Sequence, residues 1–226
     1  MGVTEFFDQA GPLGIVLLLL SVLALAIIIT KARHFIHLRV RNLAFSDQAL
    51  TALAGGDTDG ARALMAASPN PVARVMEAMV ESYAPGEQAS AGGDAEVERR
   101  GEAELREMET WLRPLATVAH LSPLVGLLGT VFGMIRAFMA IEAAGSRVDP
   151  GLLAGGIWEA LLTTAFGLAI AIPSLAAFHF FAGEIERVRA AMKDVTVRLM
   201  AACGVEPASS AVFATLPAAE REDYAV

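Results

Sequence analysis

Apolar positions along the chain gather into three long uncharged runs: Gln9 to Thr30, Pro114 to Ile135 and Ala160 to Gly183. Each is about 22–24 residues long, and at about 1.5 Å per residue each crosses a hydrocarbon core of about 30 Å. The pattern predicts three transmembrane helices and an all-α integral membrane protein. Ala24-Leu25-Ala26 resembles a signal-peptide cleavage site, but Glu5 and Asp8 precede the first run with no Lys or Arg, whereas a secretory signal begins with basic residues. The apolar run also continues through Ile27 to Ile29. The first run is therefore read as a retained helix.

The polar stretch from His34 to Arg113 carries helix signals of its own. Asp57 is a candidate cap for a short helix, and Pro71 stands where the first turn of "VARVMEAMVESY" begins. "APGEQASAGGD", Ala84 to Asp94, reads as a break. The charged "AEVERRGEAELREMETWL" then leads directly into the second apolar run. It reads either as a solvated helix face or as a stalk extending the second span. Asp149 is a candidate N-cap ahead of Pro150, and the helix that begins there can run to Gly204 as its C′ residue. That helix is about 54 residues, or roughly 80 Å, far more than a bilayer requires, so its end should project from the membrane. The expected order is an N-terminal segment (1–10), a first span (11–33), a helical cytoplasmic segment (34–113) and a second span (114–141). A periplasmic loop (142–150), a third span (151–183), a cytoplasmic helix extension (184–204) and a Pro-, Ala- and Ser-rich tail (205–226) complete it.

Charge sets the expected orientation. Lys31, Arg33, Arg39 and Arg41 follow the first run; Arg99, Arg100, Arg106 and Arg113 precede the second; Arg187, Arg189, Lys193 and Arg198 follow the third. Lys and Arg mark the cytoplasmic side, which places the N-terminus outside and the C-terminus in the cytoplasm. The net charge of −8 does not describe a nucleic-acid surface, and the one cysteine, Cys203, allows neither an intrachain disulfide nor a cysteine metal cluster. His34 and His37 share a helix face without a third ligand, and no metal or cofactor is expected. No nucleophile, base and orienting group come together, so an enzyme is not expected.

The second and third runs are short of large side chains on one face. Gly126, Gly129, Thr130, Gly133 and Ala137 recur at helical spacing, as do Gly156, Ala160, Thr163, Thr164, Gly167, Ala171 and Ser174. Small residues let membrane helices approach closely, so plain helix packing is one reading. The threonines suggest another. Thr130 and Thr164 each lie about 17 residues, roughly 25 Å, from the cytoplasmic end of their spans. If both stripes face one cavity, the two form a hydroxyl layer. Glu159 lies about one turn outward of Thr163. A carboxylate in a membrane is a functional candidate, although Glu159 can equally sit solvated at the outer interface, with Arg136 at a similar level to pair with it. Pro173 removes a backbone donor from the third span and should kink it. No Asp or Glu stands mid-span. A proton carrier at that depth would have to come from another chain.

"PLVGLLGTVFGMIRAF" (Pro123 to Phe138) and "EALLTTAFGLAIAIPSLAAF" (Glu159 to Phe178) resemble the two signature segments of ExbB/TolQ proton-channel subunits, in the wider MotA/TolQ/ExbB group. The similarity runs from about Gly11 to Gly204. It implies a stator or channel subunit of a motor driven by the proton motive force in the bacterial inner membrane, serving TonB-dependent import or Tol-Pal function. The implied assembly is a ring-forming homopentamer around a dimer of an ExbD/TolR-like single-span protein that carries a membrane aspartate, with a TonB- or TolA-like protein as a further partner. By motif position, the family's pore threonines fall on Thr130 and Thr164, its outer glutamate on Glu159 and its proline on Pro173. Thr163 is added to the pore candidates, and Gly126, Gly129, Gly133 and Gly167 to the packing positions. Arg136 and His120 depart from the family's usual residues. The MotA branch itself, with four spans, is less similar. The alternative to a motor subunit is a membrane scaffold that assembles a complex without conducting ions.

Overall fold

The computed structural model describes residues 3–82, 93–144 and 150–202. Among them every regular element is an α-helix: α1 (Val3–His37), α2 (Ala44–Ala54), α3 (Thr58–Ala66), α4 (Pro71–Ser82), α5 (Gly93–Glu109), α6 (Leu112–Ala144) and α7 (Pro150–Ala202). Helices α1, α6 and α7 contain the three apolar runs and are long enough to cross a membrane. The candidate caps Asp149 and Gly204, the loop 145–149, most of the glycine-rich break, Cys203 and the tail lie outside the described residues.

The chain divides into two compact units. The first comprises residues 1–32 and 111–182, the second residues 33–110 and 183–226. In the first, Leu17, Ala24, Ile27 and Lys31 of α1 are buried at a spacing that forms one helix stripe. The opposite positions, such as Leu19, Val22 and Leu25, are exposed, as are Leu124, Leu127 and Phe138 of α6 and Trp158, Leu161 and Ile172 of α7. Less than a third of each apolar window is buried within the chain. That much outward aliphatic surface suits lipid or neighbouring membrane helices, not water.

The second unit is a soluble-type bundle. Helix α4 packs on α5 and α3, and α2 packs on α3. Its core is rich in methionine: Met65, Met76, Met79, Met108 and Met192 are fully buried beside Val72, Val75, Val97 and Leu199. Unbranched methionine fills the irregular gaps between short helices. The last third of α7 supplies Glu184, Ile185, Val188, Met192, Val195, Thr196 and Leu199 as its buried face, spaced three and four apart. The charged sequence of α5 does not run unbroken into the second span. Helix α5 ends at Glu109, Trp111 takes φ 71° and α6 starts at Leu112. A left-handed backbone is costly for a bulky residue, so the sequence pattern gave no sign of this break.

Asp57 caps α3, its side chain accepting the Gly60 N–H at 2.8 Å. The more consequential cap is Asn70, which is fully buried. Its Oδ1 accepts the Val72 N–H at 3.0 Å at the start of α4, while Nδ2 donates to the carbonyls of Arg39 (3.1 Å) and Asn42 (3.2 Å). Those carbonyls belong to the turn after α1, where Arg39 adopts φ 47°. One amide thus ties that strained turn to α4. Asn70→Ala should leave the Asn42 carbonyl and the Val72 N–H without these partners and destabilise the second unit by about 2–3 kcal/mol. Thermal unfolding of the purified protein checks this; an unchanged midpoint would show that other contacts hold the turn.

Candidate functional site

Helices α6 and α7 run antiparallel within the first unit, and their small residues meet. A Cβ placed on Gly126 would lie 3.0 Å from the Thr163 carbonyl oxygen and 3.0 Å from the Thr164 Cα. On Gly129 it would meet the Thr163 Cβ at 2.7 Å, on Gly133 the Ala160 Cβ at 3.0 Å, and on Gly167 the Ser122 carbonyl oxygen at 2.6 Å. Four glycines therefore line one close-packed seam inside a single chain, with backbone against backbone at Gly126 and Gly167, the geometry that small residues permit where lipid offers no hydrophobic drive to association.

The hydroxyls along the seam are satisfied in different ways. Thr163 is buried, and its Oγ1 donates to the Ala160 carbonyl at 2.8 Å, with Gly126 O at 3.4 Å. Thr164 is only part-buried and donates across the seam to the Gly126 carbonyl at 3.1 Å. Thr130 donates to the Leu127 carbonyl of its own helix at 2.7 Å. Ser122 and Ser174 are buried and donate to carbonyls one turn back, Val118 and Ile170, each at 2.7 Å.

The seam fixes which side chains share a flank. Because Gly129 faces Thr163, Thr130 and Thr164 stand within a turn of one another along the pair. At 3.6 residues per turn, each lies roughly 60° from the centre of its own contact stripe, in the same rotational sense. Two antiparallel helices are related by a twofold axis, so equal offsets put both threonines on one flank of the seam. Arg136 and Glu159 are offset by roughly 60–80° in the opposite sense. They meet on the other flank, with Arg136 Nη2 at 2.5 Å from Glu159 Oε1. Oε1 is buried and accepts no hydrogen bond of regular geometry, so the contact is an ion pair held by charge. The glutamate is four-fifths buried and the arginine half exposed. Within the chain Thr130 and Thr164 lie on one flank of the seam, Thr163 is buried in it, and Glu159 pairs with Arg136 on the other flank, a pairing that the sequence allowed.

Helix α7 continues through Pro173 without ending. His120, exposed on α6, has its Nδ1 at 2.8 Å from the Ala116 carbonyl. In the second unit, sequence reasoning missed a cluster at the turn after α1. Glu184 is buried; its Oε2 accepts Arg41 Nε at 3.2 Å, and its Oε1 receives Arg41 Nη2 and Arg187 Nη1. The Arg41 hydrogen bond holds the Glu184 carboxyl below the usual carboxylate range, with Arg187 adding to it against the cost of burial. The signal was available in part: Glu184 is the first charged residue after the third apolar run, with Arg187 one turn on.

Residues 67–194 match the MotA/TolQ/ExbB proton channel family. The biopolymer transport protein ExbB of Salmonella typhimurium is 39% identical over 104 residues, which is 46% of this chain and 42% of that protein. The Tol-Pal system protein TolQ of Haemophilus influenzae is 45% identical over 76 residues, 34% of this chain and 33% of that protein. ExbB of Xanthomonas campestris pv. campestris is 46% identical over 79 residues, 34% of this chain and 30% of that protein. The chain thus spans less than half the length of these relatives. The match takes in both small-residue segments and the seam they form, and it covers more than half of the chain. With three apolar helices and that match, this multi-pass membrane chain belongs to the MotA/TolQ/ExbB proton channel family.

Proposed function

We propose that the chain is the stator subunit of a motor driven by the proton motive force. Five copies form a ring in a bacterial inner membrane, with the N-terminus periplasmic and the C-terminus cytoplasmic. The ring encloses an ExbD/TolR-like single-span dimer whose membrane aspartate carries the proton, and force passes to a TonB- or TolA-like protein. The observation that carries the proposal is the flank shared by Thr130 and Thr164. Two hydroxyls stand at one level on one side of the seam, in spans that hold no mid-span carboxylate among the described residues. Family membership and relatives called ExbB and TolQ support the same reading. A non-conducting scaffold is the second reading, favoured by the glycines' use in packing α6 on α7.

The two readings separate in sealed proteoliposomes under a proton gradient. Moving one charge through 100 mV is worth about 2.3 kcal/mol, but harvesting it needs a site that takes and releases a proton. The chain alone should conduct almost nothing. Adding the single-span partner should produce proton uptake, and changing the partner's membrane aspartate to asparagine should abolish it. A substantial leak through this chain alone would place the conducting group here, with Glu159 the first residue to replace. No flux with the partner present would favour the scaffold.

A further inference from the structure

The turn after α1 and the adjoining part of α7 enclose an open cavity of about 450 Å³ within the second unit. Val40, Leu43, Val188 and Ala191 form its apolar walls, and Arg41, Glu184 and Arg187 its polar side. The motor reading gives it no role. Its place in the chain is distinctive: Arg41 follows shortly after α1 ends at His37, and Glu184 directly follows the apolar run that ends at Gly183. Arg41 thus follows the apolar helix α1 and Glu184 follows the apolar part of α7, so both stand next to the levels at which headgroups would lie when those stretches span a bilayer.

We propose that this cavity binds the phosphate group of an anionic glycerophospholipid, with Arg187 as the principal phosphate contact. Arg187 is about two-thirds exposed and gives one N–H, from Nη1, to Glu184. Its other N–H groups carry no hydrogen bond among the described residues and remain for a second acceptor. A planar guanidinium fork matches phosphate oxygens two at a time, which a lysine ammonium does not. Glu184 is the one carboxylate on the lining and would repel a phosphate on its own. Both its oxygens are already covered, Oε2 by Arg41 and Oε1 by Arg41 and Arg187. The carboxylate therefore works as the anchor that orients Arg187. The four aliphatic walls suit the glycerol and upper acyl carbons of a lipid better than a free inorganic ion, and basic pockets beside membrane helices are established headgroup sites. The proposal depends on the chain lying in a bilayer and not on proton conduction.

The test uses the full-length protein in nanodiscs of phosphatidylcholine, titrated with phosphatidylglycerol. Bound lipid is read by native mass spectrometry and by the rise in melting temperature that ligand binding produces. The wild type should bind phosphatidylglycerol, and Arg187→Gln should weaken binding at least about tenfold, the loss of about 1.4 kcal/mol from a charge-assisted contact. Arg62→Gln, which removes an exposed charge on α3 with only a distant Asp59 partner at 4.0 Å, should match the wild type. Arg187→Lys keeps the charge without the fork and should bind at an intermediate level. Equal losses in Arg187→Gln and Arg62→Gln would mean diffuse electrostatics and overturn the site. So would wild-type affinity in both Arg187 variants. Inorganic phosphate that stabilises the protein in pure phosphatidylcholine as well as phosphatidylglycerol does would overturn the lipid as the source.

Discussion

Gly167→Leu should prevent α6 and α7 from closing, whereas Gly155→Leu should leave the folded protein unchanged. A Cβ on Gly167 would lie 2.6 Å from the Ser122 carbonyl oxygen and 3.2 Å from the Gly126 Cα, so a backbone would have to move. On Gly155, in the same helix, it would meet nothing within 4 Å. Neither neighbour of Gly167 is the tip of a flexible side chain. Overpacking there should cost about 3 kcal/mol, the upper end for such changes, and should pull apart the Thr164 bond to Gly126 as well. The readout is the yield of monodisperse protein in mild detergent together with its melting temperature. Equal behaviour of the two variants would show that the seam is not a determinant of stability.

The second expected result separates packing from conduction. Thr164→Val should lower proton-driven output about five- to tenfold while the protein assembles normally; Thr163→Val should lower the melting temperature while output is kept. Valine keeps the shape of threonine and removes the hydroxyl. At Thr164 that hydroxyl lies on the same flank as Thr130, part-buried and bonded across the seam to Gly126 O at 3.1 Å. Losing a hydrogen bond of about 1–1.5 kcal/mol in a proton-transfer step slows it by about that factor. At Thr163 the hydroxyl is buried and points into the seam, so its loss should appear in the melting temperature instead. The measurements are proton uptake in proteoliposomes containing the single-span partner, and thermal stability of each variant. Full output from Thr164→Val would remove the hydroxyl layer from the mechanism.

Much of the architecture was legible because it rests on periodicities that a sequence carries openly. Uncharged runs of bilayer length announce spans whatever they pack against, and the glycine and threonine spacing of "GLLGTVFG" and "EALLTTAFG" announces a narrow small-residue face. The cap at Asp57 and the helix start at Pro71 were legible for a similar reason, since both depend on local backbone chemistry alone. Asn70 was not. Its amide reaches back about 30 residues to carbonyls that only the folded turn presents.

The sequence by itself determined the all-helical class, the three apolar helices and the family, because helix period, run length and motif spacing are properties of one strand read along its axis. It also placed Thr130 and Thr164 at one level, a matter of counting residues from the ends of the spans. The tertiary structure decided how each helix is rotated against its neighbour. That rotation buries Thr163, leaves Thr164 on the same flank as Thr130 and turns Glu159 to Arg136 on the other. A stripe about 100° wide can seat a neighbour at either edge, and a shift of one residue turns it by another 100°. Only the contacts between backbones, Gly126 on Thr163 and Gly167 on Ser122, select one seating from the several that the spacing allows.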